Sequence, residues 1–125
     1  MTGAIDQMGH VLAVGAVNEK IEGFFDACSD LRDDRTHGVI IPRSNAGDLM
    51  LRDDVLDACT EGRFAVYAVD TVYEAIHLLT GVAPGVRGAT GRYPANTLFA
   101  IAVKRARAFW QRAAAPTTTR RKPRA

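Results

Sequence analysis

The stretch VGAVNEKIEGFFDACSDL, residues 14–31, predicts an amphipathic helix with one face packed against the rest of the fold. Its apolar side chains recur at helical spacing, at Ile21, Phe24, Phe25, Cys28 and Leu31. The opposite face is polar and mostly acidic, as expected for a helix that covers a core. A lysine, Lys20, stands in the first turn of this helix, and its chemistry bears directly on function.

Predicted strands lie on both sides of this helix. TGAI and VLAV, residues 2–5 and 11–14, predict a hairpin whose turn ends at Gly9. GVIIP and FAVYAV, residues 38–42 and 64–69, are short apolar runs typical of buried strands.

Helical segments fill the intervals between these strands. Residues 45–51 and 53–62 predict two short helices, the second capped by one of its first two aspartates. Residues 70–81 predict a helix with capping-box spacing between Thr71 and Glu74 and a glycine at its end. The alternation of strand and helix predicts an α/β fold with parallel central strands over residues 1–81.

The remaining chain has a different composition. Residues 82–96 predict a flexible Gly-rich linker in preference to a phosphate loop, since no Gly-Lys-Ser/Thr follows the glycines and no strand leads directly into them. Residues 97–115 predict one amphipathic helix, with its apolar side at Leu98, Phe99, Ala102, Val103, Ala106, Phe109 and Trp110. Residues 116–125 predict a disordered basic tail.

Charge divides along the chain in the same way. All 14 acidic residues and six of the 16 basic residues lie within residues 1–74, whereas residues 75–125 contain ten basic residues and no acidic one. Such asymmetry indicates an anionic partner for the C-terminal part. The candidates are the acidic part of the same or a neighbouring chain and nucleic acid, although the tail lacks aromatic residues and short basic tails are commonly just solvated.

Composition indicates an ordinary globular protein of one domain. No run of about 18 uncharged apolar residues is present, and the N-terminus lacks signal-peptide features, so we expect a cytoplasmic protein without a membrane partner. Two isolated cysteines predict buried reduced thiols, Cys28 and Cys59.

No metal or serine-hydrolase motif is found. The three histidines, His10, His37 and His77, have no paired ligand spacing, so no metal site is predicted, and His77 is interpreted as a packing residue. Two serines occur, Ser29 and Ser44, and neither lies in a GxSxG context. Both are interpreted as surface residues.

Lys20 is the candidate catalytic residue. Unsatisfied amides and the positive end of the helix dipole disfavour its charge in the first turn, and burial would add desolvation. Both effects favour a neutral amine, which a general base needs. The alternative is a solvated lysine paired with Glu19 or Glu22, and local sequence alone favours that alternative.

A resemblance to a known family changes this balance. Residues 1–28 and 38–81 resemble the C-terminal half of the proteolytic domain of Lon proteases, closest to the B-type branch, and the helix after residue 96 matches more weakly. The motifs are a Thr-Gly strand start, a glycine turn and a lysine 18 positions after the threonine. The resemblance implies that Lys20 is the base of a Ser-Lys dyad. It also implies that Thr2 hydrogen-bonds the lysine amine.

Two departures from the family pattern limit this inference. The usual Gly-Gly before the catalytic helix is Gly15-Ala16, which predicts a modest distortion of the turn. The family's nucleophilic serine precedes the Thr-Gly strand, whereas Ser29 and Ser44 follow Lys20, so we expect no nucleophile in this chain. The ATPase module that would use ATP and Mg is likewise expected to be absent.

The sequence therefore predicts a truncated or split Lon-type proteolytic domain that is inactive alone. With its missing N-terminal half it would be an ATP-dependent serine endopeptidase acting on polypeptides. The strand TGAI and the side chains of Phe24 and Phe25 would lose neighbours, so self-association or capture by the missing half is expected. The alternative is a non-catalytic α/β module that joins Lon-like rings or binds nucleic acid through its basic C-terminal segment.

Overall fold

In the computed structural model of the protein, residues 1–29 and 37–114 are described. The chain divides into two compact units, Met1–Gly81 and Val82–Ala125. The first is a mixed α/β unit with two small sheets, and the second contains one long helix. Within the described residues, no helix is long and apolar enough to cross a membrane.

The first unit begins with the predicted antiparallel hairpin. Strand β1, Ala4–Ile5, pairs with β2, Val11–Leu12. The Asp6 carboxylate accepts hydrogen bonds from the amides of Met8 and His10 and contacts the His10 ring at 2.9 Å. The bond to the His10 ring is the main cause that lowers the pKa of the Asp6 carboxyl. The Asp6 side chain therefore stabilises the turn of the hairpin.

Two parallel strands form the centre of the first unit, and this prediction is confirmed. Strand β3, His37–Pro42, pairs with β4, Phe64–Val69, along its full length. Parallel neighbours need a crossover connection. The 3₁₀ turn Arg43–Asp48 and helix α2, Asp53–Thr60, lie in that connection.

The main core lies between this sheet and two helices. Helix α1, Val17–Ser29, packs on β3, and α2 packs on β4. The rings of Phe25 and Phe64 meet edge to face at 5.2 Å. The buried residues of this core are Val17, Ile21, Val39, Ile41, Val55, Ala58 and Phe64. The predicted apolar stripe of the first helix is confirmed at Ile21 and Cys28, whereas Phe24 remains 43% exposed.

A smaller core joins the hairpin to the sheet. It contains Val11, Ile40, Val69 and Ala75. The Thr2 amide donates to the Ile40 carbonyl at 2.9 Å, and the Val11 amide donates to the Asp70 carbonyl at 2.8 Å. These bonds attach the segment before β1 to β3 and the start of β2 to the residue that follows β4.

Helix α3, Val72–Thr80, has the predicted ends. The Thr71 hydroxyl accepts a hydrogen bond from the Glu74 amide. The Glu74 carboxylate accepts from the Asp70 amide at 3.0 Å, one residue before the position that a capping box uses. Gly81 ends the helix with φ of 68°, a left-handed conformation that favours glycine.

Three local predictions are wrong. The helix predicted over 45–51 is the 3₁₀ turn, and the chain is extended again at Leu49. Helix α2 has Arg52 at its N-cap with no side-chain cap bond, so neither predicted aspartate caps it. His77 is exposed, because it lies on the side of α3 away from buried Ala75. Leu31 and the predicted tail over 116–125 lie outside the described residues.

The described part of the second unit, residues 82–114, contains a connecting segment and helix α4, Leu98–Ala114. The amides of Leu98 and Phe99 donate to the carbonyls of Ala83 and Pro84 at 2.9 and 3.0 Å. Gly85 has φ of 83°, and a Cβ there would collide with the Thr97 side chain. The segment predicted as a flexible linker is therefore bonded to the start of α4.

The apolar side predicted for α4 is not buried by any of the residues that the structure describes. No side chain of α4 is buried. Two aromatic residues near its end are largely exposed, Phe109 by 65% and Trp110 by 73%.

Candidate active site around Lys20

Lys20 lies in the first turn of α1, as predicted, and its side chain is exposed. Long side chains on a helix lean toward its N-terminus. The Lys20 Nζ accordingly reaches back and donates to the Gly15 carbonyl at 2.9 Å. The amine is thus held over the turn that precedes the helix, although the described residues leave the side chain exposed.

The turn beneath the amine is strained at one residue. Ala16 has φ of 57°, and its carbonyl accepts the Lys20 amide at 3.2 Å as the first helical bond. A left-handed conformation costs a residue with a Cβ about 1–2 kcal/mol. The distortion predicted for the Gly15-Ala16 pair is therefore located at its second member.

Replacing Ala16 with glycine is expected to raise the free energy of unfolding by about 1 kcal/mol, because glycine adopts this φ without the Cβ clash. Urea unfolding measures the change. The matched control is Gly15→Ala, where a Cβ meets nothing within 4 Å and a small gain or none is expected. An Ala16→Gly protein no more stable than the wild type would contradict the strain assignment.

A buried asparagine fixes the chain just before this turn. Asn45, 5% exposed, donates from its Nδ2 to the Val14 carbonyl at 3.1 Å. Its Oδ1 accepts from the Val14 amide at 2.9 Å. One side chain therefore satisfies both backbone groups of Val14, in the way that a neighbouring strand would.

A second asparagine makes the reciprocal connection from the helix. Asn18 donates to the Asp48 carbonyl at 3.1 Å and accepts from the Met50 amide at 2.9 Å. The start of α1 and the segment after β3 are thus joined by two amide side chains, Asn45 and Asn18. Sequence reasoning missed both residues, since the polar segment around Asn45 carries no local signal that this side chain is buried.

The structure places Thr2 beside β3 through its backbone bond to Ile40. Its side chain is half-buried. Among the described residues, the hydrogen bond of the Lys20 amine goes to Gly15, and none joins it to the Thr2 hydroxyl. The pairing of Thr2 with Lys20 stays a prediction.

Among the described residues, neither serine is recorded in a hydrogen bond with the Lys20 amine. Ser29 is exposed at the last position of α1, where its hydroxyl donates to the Phe25 carbonyl at 3.0 Å. It lies nine positions after Lys20 on the helix, an axial rise of about 13.5 Å. Ser44 is exposed on the 3₁₀ turn. Both surface assignments are confirmed.

The remaining candidate functional residues of the described chain are the cysteines and the possible metal ligands. Cys28 is buried, as predicted, whereas Cys59 is only half-buried. Across residues 1–29 and 37–114, no group of three or more His, Cys, Asp or Glu residues could hold a metal ion.

An ion-pair network ties α1 to α2. The Arg52 guanidinium contacts the Asp26 carboxylate at 2.6 and 3.1 Å and the Asp54 carboxylate at 3.0 and 3.1 Å. The hydrogen bonds from Arg52 are the largest cause that lowers the pKa of each carboxyl below its usual value of 3.8. The Arg52 amide also donates to Glu22. The C-terminal part of α1 is held in place by these contacts.

This network predicts an acid-sensitive contribution to stability. A carboxyl with a lowered pKa in the folded state stabilises the protein above its unfolded pKa and loses that effect as the pH falls through the folded value. Replacing Arg52 with methionine should therefore lower the free energy of unfolding at pH 7, and the deficit should shrink below about pH 4. Urea unfolding across this range measures it. The control is Arg105→Met, in a part of the chain without acidic residues. A deficit independent of pH would contradict the assignment.

These features define a small α/β unit in which an exposed lysine is held at the start of a helix by backbone and amide contacts.

No established family profile matches the chain. Two curated proteins are similar to it, each described as "Putative Lon protease homolog". The protein of Haemophilus influenzae is 47% identical over 81 residues, which are 65% of this chain and 14% of that protein. The protein of Escherichia coli K12 is 44% identical over 79 residues, 63% of this chain and 14% of that protein.

The chain is therefore similar to part of two proteins described as Lon protease homologs, and the resemblance predicted from its motifs is confirmed. It spans about 14% of the length of the curated relatives that it matches.

Proposed function

We propose that residues 1–81 are the lysine-bearing part of a Lon-type Ser-Lys peptidase domain. In this proposal, Lys20 is the general base for hydrolysis of peptide bonds in polypeptide substrates, and the nucleophilic serine comes from residues outside the given sequence. The observation that carries the proposal is the placement of the Lys20 amine. It is held over a turn that Asn45 fixes from the neighbouring segment. The assignment of Lys20 as the family's lysine comes from the sequence resemblance.

The chemistry follows from a neutral amine. The lone pair of the Lys20 Nζ takes the proton of the serine hydroxyl as the serine oxygen attacks the peptide carbonyl. The same proton then goes to the departing amine, and an acyl-enzyme remains for hydrolysis by water. The Thr2 hydroxyl would orient the Nζ. Contact with the serine-bearing segment would cover the exposed lysine and favour its neutral form.

The proposal places this domain in an ATP-dependent assembly. The glycines after residue 80 lack the Lys-Ser/Thr pair of a phosphate loop, so the residues at hand do not fit ATP and Mg. No step of the proposed hydrolysis passes through them.

Reconstitution in trans tests the proposal. The full chain is mixed with a separately produced segment of the E. coli relative, namely the serine-bearing part that precedes its similarity to this chain. Cleavage of a fluorogenic peptide is then followed. We expect no turnover from either part alone and turnover from the mixture. Binding without turnover in the mixture would contradict the catalytic proposal.

A second candidate function is a non-catalytic module that joins Lon-like rings. The observation that favours it is the exposed apolar residues Ile5, Phe24, Phe109 and Trp110. Light scattering separates the two candidates. A stable monomer that ignores the added segment would refute the split-domain proposal, whereas association without Lys20-dependent cleavage would favour the module.

A further inference from the structure

The second unit contains a concave basic surface that the proposed peptidase chemistry does not use. A cavity of about 480 Å³ lies between the connecting segment and α4. Four cationic side chains line it, Arg87, Arg92, Lys104 and Arg107. We call these four residues and the cavity that they line the basic groove.

The positive charge of the basic groove is not neutralised within its own unit. No acidic side chain follows Glu74 in the sequence. The four cations therefore repel one another without a carboxylate beside them in residues 82–114. Arg87 has an aromatic contact instead, because its guanidinium lies 5.7 Å from the centre of the Tyr93 ring.

The walls of the basic groove are half apolar. Tyr93, Ala100, Val103 and Ala108 contribute to the lining, and Gln111 adds an amide. The Tyr93 ring is fixed against Phe99, with ring centres 5.4 Å apart. A fully hydrated anion needs only cations, whereas this surface also offers planar and aliphatic contacts. It suits a ligand that alternates negative charges with flat apolar groups.

The backbone keeps the basic groove open on the side of the connecting segment. The Gly88 amide donates to the Arg92 carbonyl at 2.9 Å, and the Gly91 amide donates to the Gly88 carbonyl at 2.9 Å. This turn places Arg87 and Arg92 opposite α4. On α4, Lys104 and Arg107 are three residues apart and share one face.

We propose that the basic groove binds single-stranded nucleic acid. Phosphates contact the four cations, and an unstacked base contacts the Tyr93 ring and the apolar wall. A duplex is excluded from this mode because its bases are stacked inside, and its width exceeds a cavity of this volume. The proposal is independent of the peptidase proposal, since all of these residues lie in the second unit.

Fluorescence anisotropy tests the proposal with the full chain and a labelled oligothymidine of about 12 nucleotides, which matches the site size of small single-strand binders. We expect binding that weakens with salt. The paired variant Lys104→Gln/Arg107→Gln should bind at least tenfold more weakly. Its plot of log affinity against log salt should be shallower by about 1.4, for two lost phosphate contacts.

The matched control is Arg105→Gln/Arg112→Gln, which removes the same charge from the same helix outside the basic groove. Its affinity should change by less than about threefold. Equal losses in the two paired variants would overturn the proposal, because binding would then follow net charge alone. Absence of binding at low salt would also overturn it.

The base contact has its own test. Tyr93→Leu should weaken binding by about tenfold while circular dichroism shows unchanged helix content. Inorganic polyphosphate should compete less well than oligothymidine at equal phosphate concentration. Three results would each contradict single-strand recognition. Polyphosphate could compete as well as oligothymidine, or a duplex could bind as tightly as the single strand. An acidic protein could also displace the oligonucleotide at equal charge.

Discussion

Replacing Lys20 with arginine is expected to reduce peptide cleavage by the reconstituted domain about 10³-fold. Arginine keeps the positive charge and reaches a similar distance, but its guanidinium stays protonated in proteins. It therefore cannot accept the serine proton. The measurement is kcat and KM with a fluorogenic peptide, and the loss should fall on kcat because the substrate contacts are unchanged.

The matched control is the same substitution elsewhere, Lys122→Arg, in the last ten residues of the sequence. It should leave kcat within about twofold of the wild type. Comparison with Lys20→Ala separates charge from chemistry. If Lys20→Arg retained wild-type turnover while Lys20→Ala lost it, the lysine would act as a fixed charge and not as a base.

Replacing Asn45 with alanine is expected to lower the free energy of unfolding by about 2–3 kcal/mol. The substitution removes both partners of the Val14 backbone, whose amide and carbonyl lie 2.9 and 3.1 Å from the Asn45 side chain. An unpaired buried polar group costs about 1–3 kcal/mol. Urea unfolding, monitored by circular dichroism, measures the change.

A neighbouring residue provides the control for this substitution. Ser44 is exposed on the same 3₁₀ turn, so Ser44→Ala should change the stability by less than about 0.5 kcal/mol. Because Val14 leads into the Lys20 turn, Asn45→Ala should also lower the activity of the reconstituted domain beyond the loss expected from unfolding. An Asn45→Ala protein as stable as the Ser44→Ala protein would show that the bonds to Val14 are replaced by water.

The elements of the first unit could be predicted because their signals are local. The spacing of apolar residues on α1 and the Thr71 to Glu74 interval before α3 are written within single elements. The two buried strands were equally visible as short apolar runs. Their parallel pairing follows from the length of the crossover between them.

The supports of the candidate site could not be predicted because they join distant parts of the chain. Asn45 and Val14 are 31 residues apart, and their hydrogen bonds depend on the tertiary fold. The 3₁₀ turn differs from the predicted helix because the Asn45 amide bonds to Val14 and Pro42 enters the turn in an extended conformation. The departure at Ala16 was visible as a missing glycine, but its positive φ was not.

The second unit illustrates a different limit. Periodicity identified α4 and its apolar side, but periodicity carries no information on what covers a helix. Glycine content suggested a flexible linker, yet the amides of Leu98 and Phe99 bond that segment to the helix. The basic groove arises from this attachment, because it brings Arg87 and Arg92 opposite Lys104 and Arg107.

The central claim is that Lys20 activates a serine supplied by another segment. The most direct measurement is labelling of that segment by a fluorophosphonate, followed by intact-mass spectrometry. The serine oxygen attacks phosphorus, fluoride leaves, and the lysine takes the hydroxyl proton. We predict rapid labelling in the mixture with the wild-type chain and background labelling with the Lys20→Arg chain. Equal labelling in the two mixtures, or labelling of the serine segment without this chain, would contradict the account.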